Sequence, residues 1–425
     1  MAADPFVTRH STHPNRAPAE RAPRTHPTAN GAPDRSPPWP TADLLQPYTP
    51  PTWFTKHLPP AALARLPRHR LALLPLPTPV HALVLPPTAA AALPPGTRLY
   101  VKRDDVAVGT VGGSKARKLA FSLAAAVATD GTTAVLTAGN AGSNHAAATA
   151  AAAARVGLTP HVLLLTPEPS DGAAAVAAGG GLMGIHAAAR SRLHLVPEAV
   201  HAHIGAALAA GARRLEAGGG GGGGGGGDRT PAPRVAVIGM GGSDAVGLLG
   251  YLDAWDELLR QGVGAAGITD VVVATGSGGT AAGLAIAAAC TGGRVRVHAV
   301  VVRNDAAHCR AHVAAMAAAW GLCVAAGGEA GGGGCRALAV DLDVVEGYDG
   351  GGYGPLAGGA AAETAAAVGA ANGLVLDPVY TRKAFVGMLA ELAADRRRAV
   401  PRFVGGGCSL CTRAGWRGCW GRGDR

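Results

Sequence analysis

From Leu99 onward the chain alternates short apolar runs with alanine-rich stretches of helical length, and this alternation constrains the fold more than any other feature. LYVK (99–102), TAVLTAG (133–139), HVLLL (161–165), RVAVIG (234–239), DVVVATG (270–276) and RVHAVVV (296–302) predict buried strands. The stretches 117–129, 145–156, 198–215, 246–261 and 280–290 predict helices between them. Helices inserted between consecutive strands imply right-handed crossovers and a parallel sheet, so the class is α/β. At 4% aromatic residues the interior must be filled by Ala, Val and Leu, which favours close packing of helix on sheet. Ligands of such sheets bind beyond the carboxyl ends of the strands, and the loops that follow strands are therefore where chemistry is expected.

Three glycine-rich loops stand there. Val111-Gly-Gly-Ser-Lys115 is a tight turn that delivers a lysine at the start of a helix, and it lacks the G-K-[ST] order of a Walker A loop. Thr137-Ala-Gly-Asn-Ala-Gly-Ser-Asn-His145 runs into a helix whose free N–H groups and dipole suit a carboxylate or a phosphate. Thr275-Gly-Ser-Gly-Gly-Thr280 offers backbone N–H groups and two hydroxyls to a phosphate. An amine with two anion cups points to pyridoxal phosphate acting on an amino acid; a nucleotide needs the phosphate contacts but not the lysine.

The remaining features exclude other classes. The formal charge of +10 lies at the two ends, with nine Lys/Arg against four Asp/Glu in 1–70 and eight against three in 391–425. The body between them is neutral, which argues against a nucleic-acid face; the tails also lack aromatic interleaving and no reader motif is present. Residues 271–293 are uncharged, but six glycines in that window read as strand, turn and helix instead of a membrane span. Seven cysteines without regular spacing argue against a disulfide framework, and Cys408 and Cys411 lack a second ligand pair for zinc. His308 and His312 stand one helical turn apart without a third ligand and read as a solvated helix face, so no metal is expected. Residues 1–44 have no apolar segment for secretion, and Arg9, Arg16, Arg21 and Arg24 fit either an organelle transit leader, with the mitochondrion expected ahead of plastid or cytoplasm, or a disordered tail with no address.

Over roughly residues 48–407 the sequence resembles the D-cysteine desulfhydrase and 1-aminocyclopropane-1-carboxylate deaminase family of fold-type-II pyridoxal-phosphate enzymes. The resemblance rests on YTPPTW (48–53), LPTPVH (76–81), LYVKRDD (99–105), GGSKARKL (112–119), GSNHAAATAAAA (142–153), GGSDAVGLLGY (241–251), GSGGTAAGL (276–284), YG (353–354) and LDPVYTRKAFVGML (376–389). It implies two parallel-sheet α/β domains with the cofactor between them, in a homodimer. The expected divisions are a large domain of 45–118 plus 230–407, a small domain of 119–217, a glycine linker at 218–229 and a divergent tail from 408. The resemblance further implies that Lys115 carries the cofactor as a Schiff base, that Asn144 meets its phenolic oxygen, and that Gly276, Ser277, Gly278, Gly279 and Thr280 hold its phosphate. Ser143, Asn144 and His145 would bind the substrate carboxylate, Tyr353 and Tyr380 would face ring and substrate, and Thr381 would meet the pyridine nitrogen.

A hydroxyl at 381, where the deaminases carry glutamate, favours β-elimination from D-cysteine over opening of a cyclopropane ring. Ring opening, and a relative that binds cofactor with impaired turnover, are the alternatives. Arg382 replaces a glycine of the family pattern, Gly405 replaces a threonine, and the chain after Gly407 lacks the closing helix of the family.

Overall fold

The computed structural model describes residues 44–106, 112–168, 176, 180–218, 234–324, 336–352, 359–403 and 407–411. Tyr353, Gly405, the leader up to residue 43 and the glycine run beyond Gly218 fall outside them. Two parallel sheets form the frame, accompanied by two short strand pairs, β1 (Leu45–Pro47) with β2 (His69–Leu71) and β11 (Leu322–Val324) with β12 (Arg336–Leu338). In the first sheet, strands β3 (Val80–Ala82), β4 (Arg98–Lys102), β9 (Asp270–Thr275), β10 (Arg296–Val301), β13 (Leu342–Val345) and β14 (Gly407–Cys411) run in the order β13-β10-β9-β14-β4-β3. Only β3 is antiparallel to its neighbour. In the second, β5 (Thr132–Asn140), β6 (Thr159–Thr166), β7 (Arg192–Pro197) and β8 (Arg234–Val237) run in the order β7-β6-β5-β8, all parallel.

Eight described helices reach twelve residues or more: α1 (Gly113–Val127), α2 (Asn144–Arg155), α3 (Ile204–Gly218), α4 (Ala245–Arg260), α5 (Gly279–Cys290), α6 (Ala306–Ala319), α7 (Ala360–Ala371) and α8 (Thr381–Asp395). The expected helix over 198–215 divides into a 3-10 turn, Glu198–His203, and α3. Every residue of β9 and nearly every residue of α5 is buried, which accounts for the uncharged run over 271–290: it lies in the protein core. No helix among the described residues is long and apolar enough to cross a membrane. Close packing is set by small residues. A Cβ added at Gly250 of α4 would lie 2.2 Å from the Arg117 carbonyl oxygen on α1, so the two helices touch backbone to backbone.

Two expectations need correction. The strand Arg234–Val237, placed with the larger unit, pairs with β5 and extends the smaller sheet. The segment after Gly407, read as a divergent tail, supplies β14, which lies between β4 and β9 in the middle of the larger sheet. Its backbone fills the gap between two parallel strands, and in that place a strand is required whatever its side chains. Among the described residues Cys309 is a buried free thiol, while Cys323 is disulfide-bonded, although the spacing of the cysteines argued against a disulfide framework.

Candidate active site

Lys115 enters the site because α1 begins at Gly113, whose φ of +64° suits glycine, so that the lysine falls in the helix's first turn. Its side chain is 2% exposed, and Nζ donates to the Gly241 carbonyl at 2.6 Å. Lys118 lies one turn further on the same helix face, and its Nζ donates to the same carbonyl at 3.2 Å and to Ser243 Oγ at 3.3 Å. Two buried amines thus converge on one turn. Sequence reasoning missed Lys118 and left GGSDAVGLLGY without a role, although the i, i+3 spacing from Lys115 was the available signal.

The turn at 241–243 leads directly to the phosphate loop. Ser243 Oγ and Ser277 Oγ are 2.7 Å apart. A Cβ at Gly241 would lie 2.2 Å from Ser277 Oγ, and one at Gly279 would lie 2.5 Å from Ser243 Oγ. Gly278 caps α5 at φ +85° with no side-chain cap bond, which leaves the first N–H groups of that helix facing the cradle. Thr280 is buried in the first turn. Asn304, in a left-handed conformation at φ +65°, donates from Nδ2 to the Gly276 carbonyl at 2.9 Å. That contact holds the Gly276 carbonyl at the start of the loop, a positioning role the sequence did not signal.

Ser143 caps α2, its Oγ accepting from Ala146 N–H at 3.2 Å. Capping uses a lone pair and keeps the O–H as a donor. Asn144 is half-buried beside it. His145 is buried, with Nε2 2.8 Å from Thr137 Oγ1 and Nδ1 3.4 Å from Thr149 Oγ1, while the Thr137 hydroxyl also reaches the Ile238 carbonyl at 2.8 Å. The histidine therefore ties α2 to β5. Its Cε1 and the Lys118 side chain both approach Gly242, at 3.7 Å and 3.4 Å from the Cβ position there.

On the opposite side, the Tyr380 ring meets the loop, its Cε1 3.4 Å from the Cβ position at Gly276. Thr381 opens α8 and is 1% exposed. Its hydroxyl donates to Asp377 Oδ2, and its N–H donates to the same oxygen at 3.0 Å. Arg382 reaches the Ala362 carbonyl on α7 at 3.4 Å. Lys383, fully buried, donates to the carbonyls of Asp349 and Gly352 and so fixes the loop that leads to Tyr353. The structure brings together Lys115, His145, Gly276, Ser277, Gly278, Gly279 and Tyr380 through this chain of contacts.

Behind α1, the motifs LPTPVH, LYVKRDD and GGSKARKL meet in one buried charge cluster. Arg117 donates to both oxygens of Asp104, at 2.8 and 2.7 Å, and to Glu257 Oε2 at 2.9 Å. Lys102 donates to Glu257, to the Thr78 carbonyl and to Gln261. Burial pushes the Lys102 amine down, against the upward pull of Glu257. Burial likewise opposes the Arg117 charge, but Asp104 and Glu257 outweigh it and hold the guanidinium well above its ordinary value. A cavity of about 250 Å³ also lies behind α1, lined by Arg70, Leu74, Arg117, Phe121 and Asp253; it contains none of the expected site residues.

The residues present fit pyridoxal phosphate. There is an amine at Lys115, a glycine cradle that a Cβ would block, hydroxyls and an ammonium around it, and an aromatic ring at its edge. Ser114 Oγ and His312 Nε2 are buried polar atoms without a partner among the described residues, as expected at a site shaped for a ligand. Residues 74–400 match the family described as pyridoxal-phosphate-dependent enzymes. The chain belongs to that family. It is 31% identical over 365 residues to the bifunctional D-cysteine desulfhydrase/1-aminocyclopropane-1-carboxylate deaminase, mitochondrial, of Arabidopsis thaliana, covering 83% of this chain and 80% of that one. It is 32% identical over 304 residues to a D-cysteine desulfhydrase of Salmonella paratyphi A, covering 71% and 83%. A solved structure of an ACC deaminase homologue matches with a TM-score of 0.63 at 26% identity, over 83% of this chain and 93% of that one. The α/β architecture is thus that of fold-type-II enzymes, and the protein is a pyridoxal-phosphate-dependent lyase; enzymes of this family bind small amino-acid substrates.

Proposed function

We propose that the protein cleaves D-cysteine by β-elimination, giving pyruvate, hydrogen sulfide and ammonia with uptake of one water. The observation that carries the reading is the site at Lys115 and Tyr380 with a hydroxyl, Thr381, at the position that holds glutamate in the deaminases. Bound pyridoxal phosphate supplies an electron sink for the Cα–H bond electrons. With a hydroxyl at 381 that sink is weaker, and a weaker sink suits a good leaving group such as thiolate better than a strained carbon–carbon bond.

Lys115 Nζ would hold the cofactor, and it is the amine placed to take the Cα proton as general base. The Ser143 O–H and the Asn144 amide hold the substrate carboxylate at the N-terminus of α2, where the helix dipole adds to their donors. His145 acts through Thr137 and Thr149 to fix that helix end. The 276–280 loop and Lys118 would hold the phosphate, and Tyr380 stands against that loop. Tyr353 completes the substrate side of the same reading, and Lys383 holds the Asp349 and Gly352 carbonyls that precede it in the chain.

Incubating the protein with D-cysteine, L-cysteine and 1-aminocyclopropane-1-carboxylate, while recording sulfide and keto acid, tests this directly. Sulfide from D-cysteine alone is expected, together with loss of both sulfide and visible cofactor absorbance in Lys115→Ala. Keto acid from the cyclopropane without sulfide from either cysteine would refute it. A mitochondrial address accompanies the proposal, supported by the designation of the Arabidopsis thaliana relative, and so does a homodimer, which the family resemblance implies; a monomeric or cytosolic enzyme on sizing and fractionation rejects that part.

A further inference from the structure

Four groups surround the cradle at Gly278, and one of them belongs to a helix that the site described above does not use. α6 starts at Asp305, which caps it by accepting from His308 N–H at 2.7 Å. One turn later, His312 lays its imidazole against the phosphate loop. A Cβ at Gly278 would lie 2.7 Å from His312 Cδ2, 3.0 Å from Cγ and 3.1 Å from Cβ. The expected solvated face of two histidines is therefore corrected: His308 is exposed, but His312 is half-buried and packed on the loop. The two rings stack at 6.2 Å between centroids, and no group of three metal-ligating side chains occurs among the described residues.

Nε2 of His312 is bonded to the Cδ2 atom that touches the loop, is shielded from solvent, and has no hydrogen-bond partner among the described residues. Burial first, then the Lys118 ammonium and His308, push the imidazole down to about 4. At neutral pH the ring is uncharged and carries one N–H. The groups gathered with it are Lys118, Ser243 and Ser277, linked by Lys118 Nζ to Ser243 Oγ at 3.3 Å and Ser243 Oγ to Ser277 Oγ at 2.7 Å. They are donors or hydroxyls. What satisfies such a set together with the bare N–H groups at the start of α5 is an oxyanion.

We propose that His312 donates its Nε2–H to the 5′-phosphate of the cofactor, completing a cradle whose other parts are the 276–279 loop, Ser243, Ser277 and Lys118. The proposal rests on the assignment of that loop to the phosphate. The neutral ring adds a hydrogen bond without adding charge, so Lys118 remains the cation of the cradle. It also closes the loop's outer side, since the imidazole stands where a side chain at 278 would otherwise be.

The test compares two ligands that differ only in the phosphate. Apoprotein prepared from the full chain is titrated with pyridoxal phosphate and with pyridoxal, following the visible absorbance of the lysine-bound cofactor. The proteins are wild type, His312→Phe, His312→Met and His312→Gln, with His308→Ala as a control. His312→Phe and His312→Met are expected to weaken pyridoxal phosphate by about tenfold or more, as for loss of a hydrogen bond to a charged group, while pyridoxal is unchanged. His312→Gln, which keeps an N–H donor, is expected to recover most of that loss, and the phosphorus NMR shift of the bound cofactor moves in the Phe and Met variants but not in His308→Ala. Should the Phe variant fail to fold, Met against Gln makes the same comparison. Equal weakening of both ligands, or no weakening of either, overturns the proposal. Wild-type protein that takes up neither ligand at Lys115 overturns the reading of the site beneath it, and a wild type that binds both ligands equally overturns the phosphate assignment of the loop.

Discussion

Removing the Glu257 carboxylate isolates the contribution of the buried charge cluster behind α1. As built, two cations, Lys102 and Arg117, face two carboxylates, Asp104 and Glu257, all with side chains 5% exposed or less. Glu257→Ala leaves one carboxylate against two cations and strips an acceptor from Thr78 N–H, Lys102 Nζ and Arg117 Nη1. Breaking a buried pair from one side costs about 3–5 kcal/mol, and this variant should sit at the upper part of that range at neutral pH. Lys102, already pushed down by burial, falls further without its partner. Its folded-state value then lies below that of the unfolded lysine, so the unfolded state binds more protons. The destabilisation is therefore expected to shrink as pH rises toward the unfolded value of about 10.4. Lys102→Met combined with Glu257→Leu removes one charge of each sign, leaves the Arg117 and Asp104 pair, and should recover most of the loss. Urea unfolding followed by tryptophan fluorescence and circular dichroism reads all three proteins. A single variant within about 1 kcal/mol of wild type, or a double variant no more stable than the single, would refute the reasoning.

Two further outcomes follow from the larger sheet. Burial lowers the His298 imidazole, but its hydrogen bonds to Asp270 and Asp343, each at 2.8 Å, outweigh that and raise it above the ordinary value. The stability it contributes is complete below the unfolded value of about 6.5 and is lost as pH rises through the raised folded value; melting temperature in wild type should fall over that window, and a profile unchanged in His298→Asn would contradict it. Ser409 of β14 pairs with Tyr100 of β4 and Val271 of β9, so Ser409→Pro places a residue without an N–H in a central strand. A loss of about 3 kcal/mol or more is expected, with insoluble or cofactor-free protein on expression, and a soluble, fully loaded variant would show that β14 is dispensable.

How far the sequence speaks for itself depends on whether the deciding interaction is local. The strands at 99–102, 133–139, 161–165, 270–276 and 296–302 are legible because each is an apolar run between turn residues, and the observed bounds differ by one or two positions. The glycine loop at 276–280 is legible for the same reason. β14 is not: the run Gly407–Cys411 is short and mixed in character, and it is a strand because β4 and β9 leave a gap of one strand between them. The helix-facing histidines divide along the same line. Nothing near His312 in the chain distinguishes it from His308; the difference is made by Gly278, thirty-four positions away, whose missing side chain leaves the space that the imidazole fills.

The charge pattern shows the same distinction within one motif. In GGSKARKL, Lys115 and Lys118 turn to the site and meet the Gly241 carbonyl, while Arg117 turns to the opposite side and meets Asp104 and Glu257. Helical spacing alone separates the two faces, but it does not say which face carries chemistry. That is set by Gly250, which brings α4 against the Arg117 backbone and with it the Glu257 carboxylate. Because the cluster and the lysines share one helix, a shift of α1 caused by losing Glu257 must also move Lys115 against Gly241. Cofactor loading in Glu257→Ala should therefore fall at urea concentrations where the protein is still folded, whereas in the charge-balanced double variant loading and unfolding should again coincide.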